Sequence, residues 1–342
     1  MKDKTKKKSV LKTTAMIFCC VIATVLLAIF GFRAFFRLSV YPYYASSQKA
    51  FYIPDIDNGF VAQGLEYDGE TDSFFVAGYD KDGSASPVYV VDKKSGELKT
   101  SVRLRKQDGT DFTNHSGGIA VYGEYVYIAG CEDRCLYVFD KEEILSSTDG
   151  WATVLGSVSL QASGEDYVKP SCVTIFDGKL YVAEFYYDPG YPTQDSHKMN
   201  TPSGEYQQAL LVAFDLSDSE NSVYGVSPVP QAVYSVTDKV QGMAFWGDQI
   251  YLSTSYGLDF SYIYAYHFKQ AGAMGETSLL GASVPLYALD SECLEKELKI
   301  PPMSEEMVII DGKLYVMCES ASNKYIFGKF LSAQWCYATD LT

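Results

Sequence analysis

Histidine is almost missing from this chain: His115, His197 and His267 are the three in 342 residues. No His-Glu-x-x-His run, Gly-x-Ser-x-Gly elbow, P-loop or Gly-x-Gly-x-x-Gly fingerprint occurs, so the hydrolase and nucleotide mechanisms built on those spacings lack support. Positive charge is also in short supply past residue 38. The first 38 residues hold eight Lys/Arg and one acid, Asp3, which leaves 20 basic against 42 acidic side chains in the remainder, a formal −22. A field of that sign repels nucleic acid and other polyanions, so no nucleic-acid partner is expected, while cationic or neutral ligands and divalent metals stay open. Eight cysteines are present, and Cys172, Cys293, Cys318 and Cys336 show no metal-type spacing. Cys172 and Cys318 fall inside apolar strands, where a small buried hydrophobe is the natural reading. Cys131 and Cys135 bracket a tight turn and are near enough to bridge in an oxidising compartment. Helix is scarce after the N-terminus, with Ala271–Leu280 and Ser291–Glu297 the two candidates.

What is present begins with a different polymer. Lys2, Lys4, Lys6, Lys7, Lys8 and Lys12 precede an apolar run from Ala15 to Phe32 broken by Thr24. At 1.5 Å per residue that run reaches about 27 Å, enough to cross a hydrocarbon core. Lysines before the run and a large domain after it predict a cytoplasmic N-terminus by the positive-inside rule. Residues 1–13 read as a cytoplasmic basic tail, 14–32 as a transmembrane signal anchor in the cell membrane, 33–48 as a juxtamembrane linker and 49–342 as an extracytoplasmic domain. The alternative is a removable signal peptide cut near Tyr44-Ala45-Ser46, but Arg33-Ala34-Phe35-Phe36-Arg37 offers no small-x-small cleavage site.

The domain repeats one phrase five times: a polar or small turn, a short apolar strand, a Gly-containing turn and a Tyr-rich strand. The copies open at Gln63-Gly64-Leu65, His115-Ser116-Gly117-Gly118-Ile119, Lys169-Pro170-Ser171-Cys172, Gln241-Gly242-Met243 and Glu305-Glu306-Met307. Measured at Gly64, Ser116, Pro170, Gly242 and Glu306, the steps are 52, 54, 72 and 64 residues, long enough for four-stranded antiparallel blades with the excess in loops. In the first copy the strands read Gly64–Tyr67, Ser73–Ala77, Val88–Val91 and Leu98–Leu104; later third strands read Leu136–Asp140, Ala209–Asp215, Tyr262–His267 and Tyr325–Phe330. Lys49–Pro54 reads as a strand without a blade, and ring closure would make it the outer strand of the last one. The fold class is therefore all-β, a β-propeller of five blades, or six if Gly281–Leu298 and the N-terminal strand build another. The longest insertion, Tyr187–Gln208, reads as an ordered lid.

In such a blade the innermost strand begins, and the second ends, on one face of the disk. Polar residues at those places should ring the mouth of the central channel. The candidate ligand-binding set is Gln63, His115, Lys169, Glu184, Gln241, Tyr256, Glu306 and Glu319. Glu184, Glu306 and Glu319, near His115, supply oxygen donors suited to Ca²⁺ or another divalent cation. The competing structural reading is that Gln and Glu here satisfy backbone groups left bare where blades meet at the axis.

The phrases Gln63-Gly64-Leu65, His115-Ser116-Gly117-Gly118-Ile119-Ala120-Val121, Gln241-Gly242-Met243-Ala244 and Pro302-Met303-Ser304-Glu305-Glu306, in this order, resemble uncharacterised bacterial extracytoplasmic propellers in the neighbourhood of the gluconolactonase/regucalcin-like and quinoprotein-like families. Gly59-Phe60-Val61-Ala62-Gln63-Gly64-Leu65 also looks like the first strand of plant-type glutaminyl cyclases. The lactonase resemblance implies a channel metal held by a Glu near the first strand and a later Asn or Asp; Glu66 is offset from that place and no matching Asn follows. The expected function is binding of an unknown extracellular ligand or protein partner at the channel mouth, and the alternative is a metal-dependent hydrolase, lactonase or glutaminyl-cyclase-like enzyme on the same face.

Overall fold

The computed structural model describes residues 2–325, 328–331 and 333–341, with side chains from residue 11 onward except at 329 and 330. Its domain is built from four-stranded antiparallel meanders. The first runs Phe60–Asp68, Ser73–Asp80, Pro87–Asp92 and Leu98–Arg105; the second Ile119–Tyr122, Tyr125–Gly130, Cys135–Asp140 and Trp151–Ser159. The third comprises Pro170–Phe176, Lys179–Glu184, Ala209–Leu216 and Val226–Val236, and the fourth Val240–Trp246, Gln249–Thr254, Ser261–His267 and Leu294–Ile300. The last takes Ser304–Ile310, Lys313–Cys318 and Trp335–Asp340 from the C-terminus and closes with Ser47–Tyr52 from the N-terminus, Ser47 pairing with Thr339 and Tyr52 with Trp335. The first strand of each meander lies beside the first strand of the next, and Ser304–Ile310 returns to Phe60–Asp68, so the inner strands form a closed ring. This is a β-propeller. The closure removes the open sheet edge that a linear row of meanders would expose.

Local chemistry accounts for the meanders. Asp177-Gly178 and Asp311-Gly312 join inner to second strands with both residues at positive φ, 48° and 70° in the first and 52° and 72° in the second, the backbone that matches a hairpin's right-handed twist. Second strands such as Phe75-Val76-Ala77 and Leu180-Tyr181-Val182 are buried on both faces, since adjacent meanders pack against each. Their apolar residues feed clusters between neighbouring meanders, for example Ala183, Leu211, Met243 and Leu252 between the third and fourth.

Several expectations change. Ala271–Leu280 and Ser291–Glu297 are not helices: Gly272–Leu279 and Leu294–Ile300 are strands, because alternating residues there pair across a sheet. The first pairs with Ala282–Ala288, which lies parallel to Val226–Val236 and widens the third sheet to six strands. Residues 281–298 are thus divided between the third and fourth sheets rather than forming a separate one. Tyr325–Phe330 is not the third strand of the last copy: that strand is Trp335–Asp340, Gly328–Leu331 is a 3-10 turn, and residues 326–327 lie outside the described residues. Cys131 and Cys135 are unbridged.

One helix, Lys2–Ser39, contains a stretch from Leu11 to Ser39 that is long and apolar enough to cross a membrane, with none of its most apolar 18-residue window buried. Residues 33–48 join the apolar run to the ring. The helix continues to Ser39, a short helix covers Tyr41–Ala45, and Phe36, Val40 and Tyr43 are buried against the ring.

Candidate functional site

The polar residues at the axis owe their position to irregular pairing. In the first meander Ala62 pairs with Gly78 and Gly64 with Ala77, so Gln63 is an extra residue; Ser171 and Gln241 are extra in the same way, and Ser304–Met307 carries the corresponding shift. A bulge rotates its extra side chain out of the sheet alternation. Small residues beside the bulges let the strands meet: a Cβ on Gly64 would lie 2.9 Å from the Ile119 nitrogen, and one on Gly242 would lie 2.5 Å from the Glu306 Cα.

Glu306 holds the ring. Its Oε2 accepts hydrogen bonds from the Leu65 and Ile119 N–H groups, each at 2.9 Å, and its Oε1 accepts from the Val173 N–H at 3.1 Å. These donors belong to the inner strands of the first, second and third meanders, so one side chain from the last satisfies backbone groups in three others. Burial pushes its carboxyl well up, nearby Glu66 adds to that, and the N–H groups pull the other way. Glu66 itself keeps some exposure at its surface but lies deep among protein, and burial pushes it up to about 8 against the hydrogen bond from the Tyr67 N–H.

The neighbouring Glu305 faces a different fate. It lines a cavity of about 400 Å³ at the channel mouth with Gln63, Asn114, His115, Gln241, Glu319 and Lys324. Glu305 is 1% exposed, and among the described residues its Oε2 has no hydrogen-bond partner. Glu319 is better provided: Gln63 Nε2 donates to its Oε2 and the Tyr325 hydroxyl to its Oε1, each at 2.9 Å. Burial, then the Glu319 and Glu306 charges, hold Glu305 well above the usual carboxylate range, while burial pushes Glu319 up to about 7 against the pull of Tyr325, Lys324 and Gln63. Lys324 donates to the Tyr79 hydroxyl and sits over the Tyr79 and Tyr325 rings. Burial and Lys324 together lower His115 to about 4, which keeps its imidazole neutral; its ring lies 4.4 Å from that of Tyr79.

Aromatic rings form the rim. Tyr187 stacks on Tyr256 at 3.7 Å between centroids, and Phe185 meets Tyr191 edge-on at 5.2 Å. Phe185, Tyr191 and Tyr256 line the cavity. Tyr187 and Tyr191 come from the long insertion, whose Asp195–His197 turn and Met199–Asn200/Tyr206–Gln207 hairpin fold back against the third meander. Glu184 anchors it, accepting from the Lys169 and Leu210 N–H groups and bonding His197 Nδ1 at 2.9 Å.

The structure therefore brings Gln63, His115, Gln241, Tyr256 and Glu319 to one cavity and leaves out Lys169, Glu184 and Glu306. The expected metal set of Glu184, Glu306 and Glu319 does not gather, because the first two are taken up by backbone donors; among the described residues no three His, Cys, Asp or Glu side chains form a metal-type group. Sequence reasoning missed Lys324 and Tyr325 as lining residues, since Tyr325 read as the start of a strand and Lys324 fell just before it. Asn114 and Phe185 lie one residue outside the positions the repeat marks, and nothing in the repeat singles them out.

No family model matches this sequence, and no curated protein matches it. Solved structures of similar shape include a glutaminyl cyclase from Myxococcus xanthus, 10% identical with a TM-score of 0.43 over 86% of this chain and 94% of that one. They also include a PQQ-bound aldose sugar dehydrogenase from Streptomyces coelicolor, 15% identical with a TM-score of 0.38 over 79% and 76%. A third is an oxidoreductase of glucose dehydrogenase type from Thermus thermophilus, 11% identical with a TM-score of 0.40 over 82% and 96%. All three are propeller types, and similarity of this degree says nothing of what this chain binds.

Proposed function

We propose that this chain is a five-bladed propeller, held outside the cell by a signal anchor over residues 14–32 with residues 1–13 in the cytoplasm, and that it binds a small ammonium-bearing ligand at its channel mouth. The observation that carries this reading is the unpartnered Oε2 of buried Glu305 at the cavity wall. A buried polar atom without a partner costs about 1–3 kcal/mol. A cation donating to Glu305 and Glu319 would recover that cost and draw both acids into their charged forms. The Tyr256 ring at the rim suits the same charge, and the formal −22 beyond residue 38 favours its approach.

The test is calorimetric titration of the full chain in nanodiscs with ethanolamine and choline, against neutral alcohols of the same size. The ammonium compounds should bind, and Glu305→Gln should abolish that binding. Equal binding of the neutral isosteres, or no binding of any, overturns the reading.

A further inference from the structure

The path of the anchor helix along the ring fixes which face of the disk meets the membrane. Phe36 is buried at 5.3 Å from Phe260, and Phe35 lies 6.1 Å from the same ring. Phe260 stands at the mouth end of the fourth meander. It follows the cavity-lining loop Ser255–Gly257 and precedes Ser261–His267, whose Tyr262 pairs with Thr254 at the end of the second strand. Ten residues after Phe36, the Ser46 carbonyl accepts from the Asp340 N–H. Asp340 pairs with Lys313, beside the Asp311-Gly312 turn, and so lies at the far end. Between those points Val40 and Tyr43 are buried against Ile263, Met307 and Tyr337. The chain thus descends the crevice between the fourth and last meanders from mouth to far face, and the helix before Phe35, from Lys2 on, leaves from the mouth side.

The apolar run ends at Phe32, three residues before Phe35, or about 5 Å along a helix. The helix is unbroken to Ser39, so no hinge separates run from ring. The rim beside it carries Tyr191, Tyr256 and Leu258, exposed at 47%, 37% and 43%, side chains suited to the boundary between headgroups and water. We propose that the cavity mouth opens onto the bilayer surface and takes the ammonium headgroup of a membrane lipid. In a zwitterionic headgroup the ammonium would meet Glu305 and Glu319, and the phosphate would meet Lys324. The lipid assignment rests on the ammonium-binding reading above; the orientation rests on the anchor contacts alone.

Two single-tryptophan forms of the full chain test this in nanodiscs doped with a headgroup nitroxide lipid. One carries Leu258→Trp with Trp151→Phe, Trp246→Phe and Trp335→Phe; the other keeps Trp246, at the far end of its strand, with Trp151→Phe and Trp335→Phe. Emission from Leu258→Trp should be quenched several-fold more than that from Trp246, and equal or reversed quenching overturns the orientation. Nitroxide-free phosphatidylglycerol nanodiscs, whose headgroup carries no ammonium, with and without phosphatidylethanolamine then test the ligand. Phosphatidylethanolamine should shift the Leu258→Trp emission, and Glu305→Gln should remove the shift. No shift overturns the lipid source, even where soluble ethanolamine binds the cavity. Failure with ethanolamine as well overturns the ammonium reading and leaves the orientation to the quenching result.

Discussion

Glu305 and Glu306 are neighbours in one strand, both 1% exposed, yet they stand in opposite relations to their surroundings. Glu306 accepts from three inner-strand N–H groups, whereas Glu305 lines a cavity and, among the described residues, its Oε2 accepts from no donor. Burial and residue type are the same, and what differs is the supply of backbone donors. At the level of Glu306 the strands crowd until their N–H groups point at the axis. Around Glu305 the surroundings are cavity-lining side chains such as Gln63, His115 and Gln241. An acid at this propeller's axis is bound into the ring where backbone donors reach it and left without them one residue away.

Breaking the ring side of this contrast should have the largest effect. Glu306→Ala leaves up to three buried donors unsatisfied and should cost about 3–5 kcal/mol, read as a large fall in the thermal midpoint. Gly118→Ala attacks the same crowding from the backbone, since its Cβ would lie 2.6 Å from the Val173 nitrogen; overpacking of this kind costs about 1–3 kcal/mol, and chemical denaturation should show it. A loss below that from either variant would mean that the strands are free to relax.

Changing pH sharpens the contrast from the cavity side. A carboxyl whose pKa is raised by folding holds its proton more tightly in the folded chain, so its stability is present below the ordinary carboxyl range and is lost as pH climbs. Glu66, raised from 4.5 to about 8, and Glu319, raised to about 7, place that loss between pH 4.5 and about 8 in ligand-free protein. The thermal midpoint should fall across this window, and Glu66→Gln should flatten the fall. The smallest effect belongs to His115, lowered from 6.5 to about 4: folding disfavours its proton, so its share of stability is lost as pH drops through that interval, and His115→Gln should soften the acid limb of the same profile.

Much of the ring was legible because it repeats. The Gly-containing turns, the Tyr-rich second strands and the unpaired N-terminal strand all follow from alternation and from the need to close an edge, and Ser47–Tyr52 does close it against Trp335–Asp340. The helices expected at 271–280 and 291–297 failed because short polar segments carry too little periodicity to compete with pairing to an adjacent edge. The site was legible in outline, since the bulge residues break the repeat where the ring meets solvent. The division of labour among its acids was not. Whether a Glu meets backbone N–H groups depends on which of them the converging inner strands bring to that height, and no local spacing encodes it. Glu184 shows the same limit: its partner His197 lies 13 residues away in an insertion that no repeat position anticipates.

The most direct measurement is a parallel pair of thermal melts of Glu305→Gln and Glu306→Gln against the wild type, without ligand, near pH 7.5. Glu306→Gln sets an NH₂ group against backbone N–H groups and should lower the midpoint by several degrees. Glu305→Gln removes a buried acid that nothing supports and should leave the midpoint unchanged or raise it. Equal losses in both, or a larger loss in Glu305→Gln, would contradict the division between a carboxyl that closes the ring and one left open for a ligand.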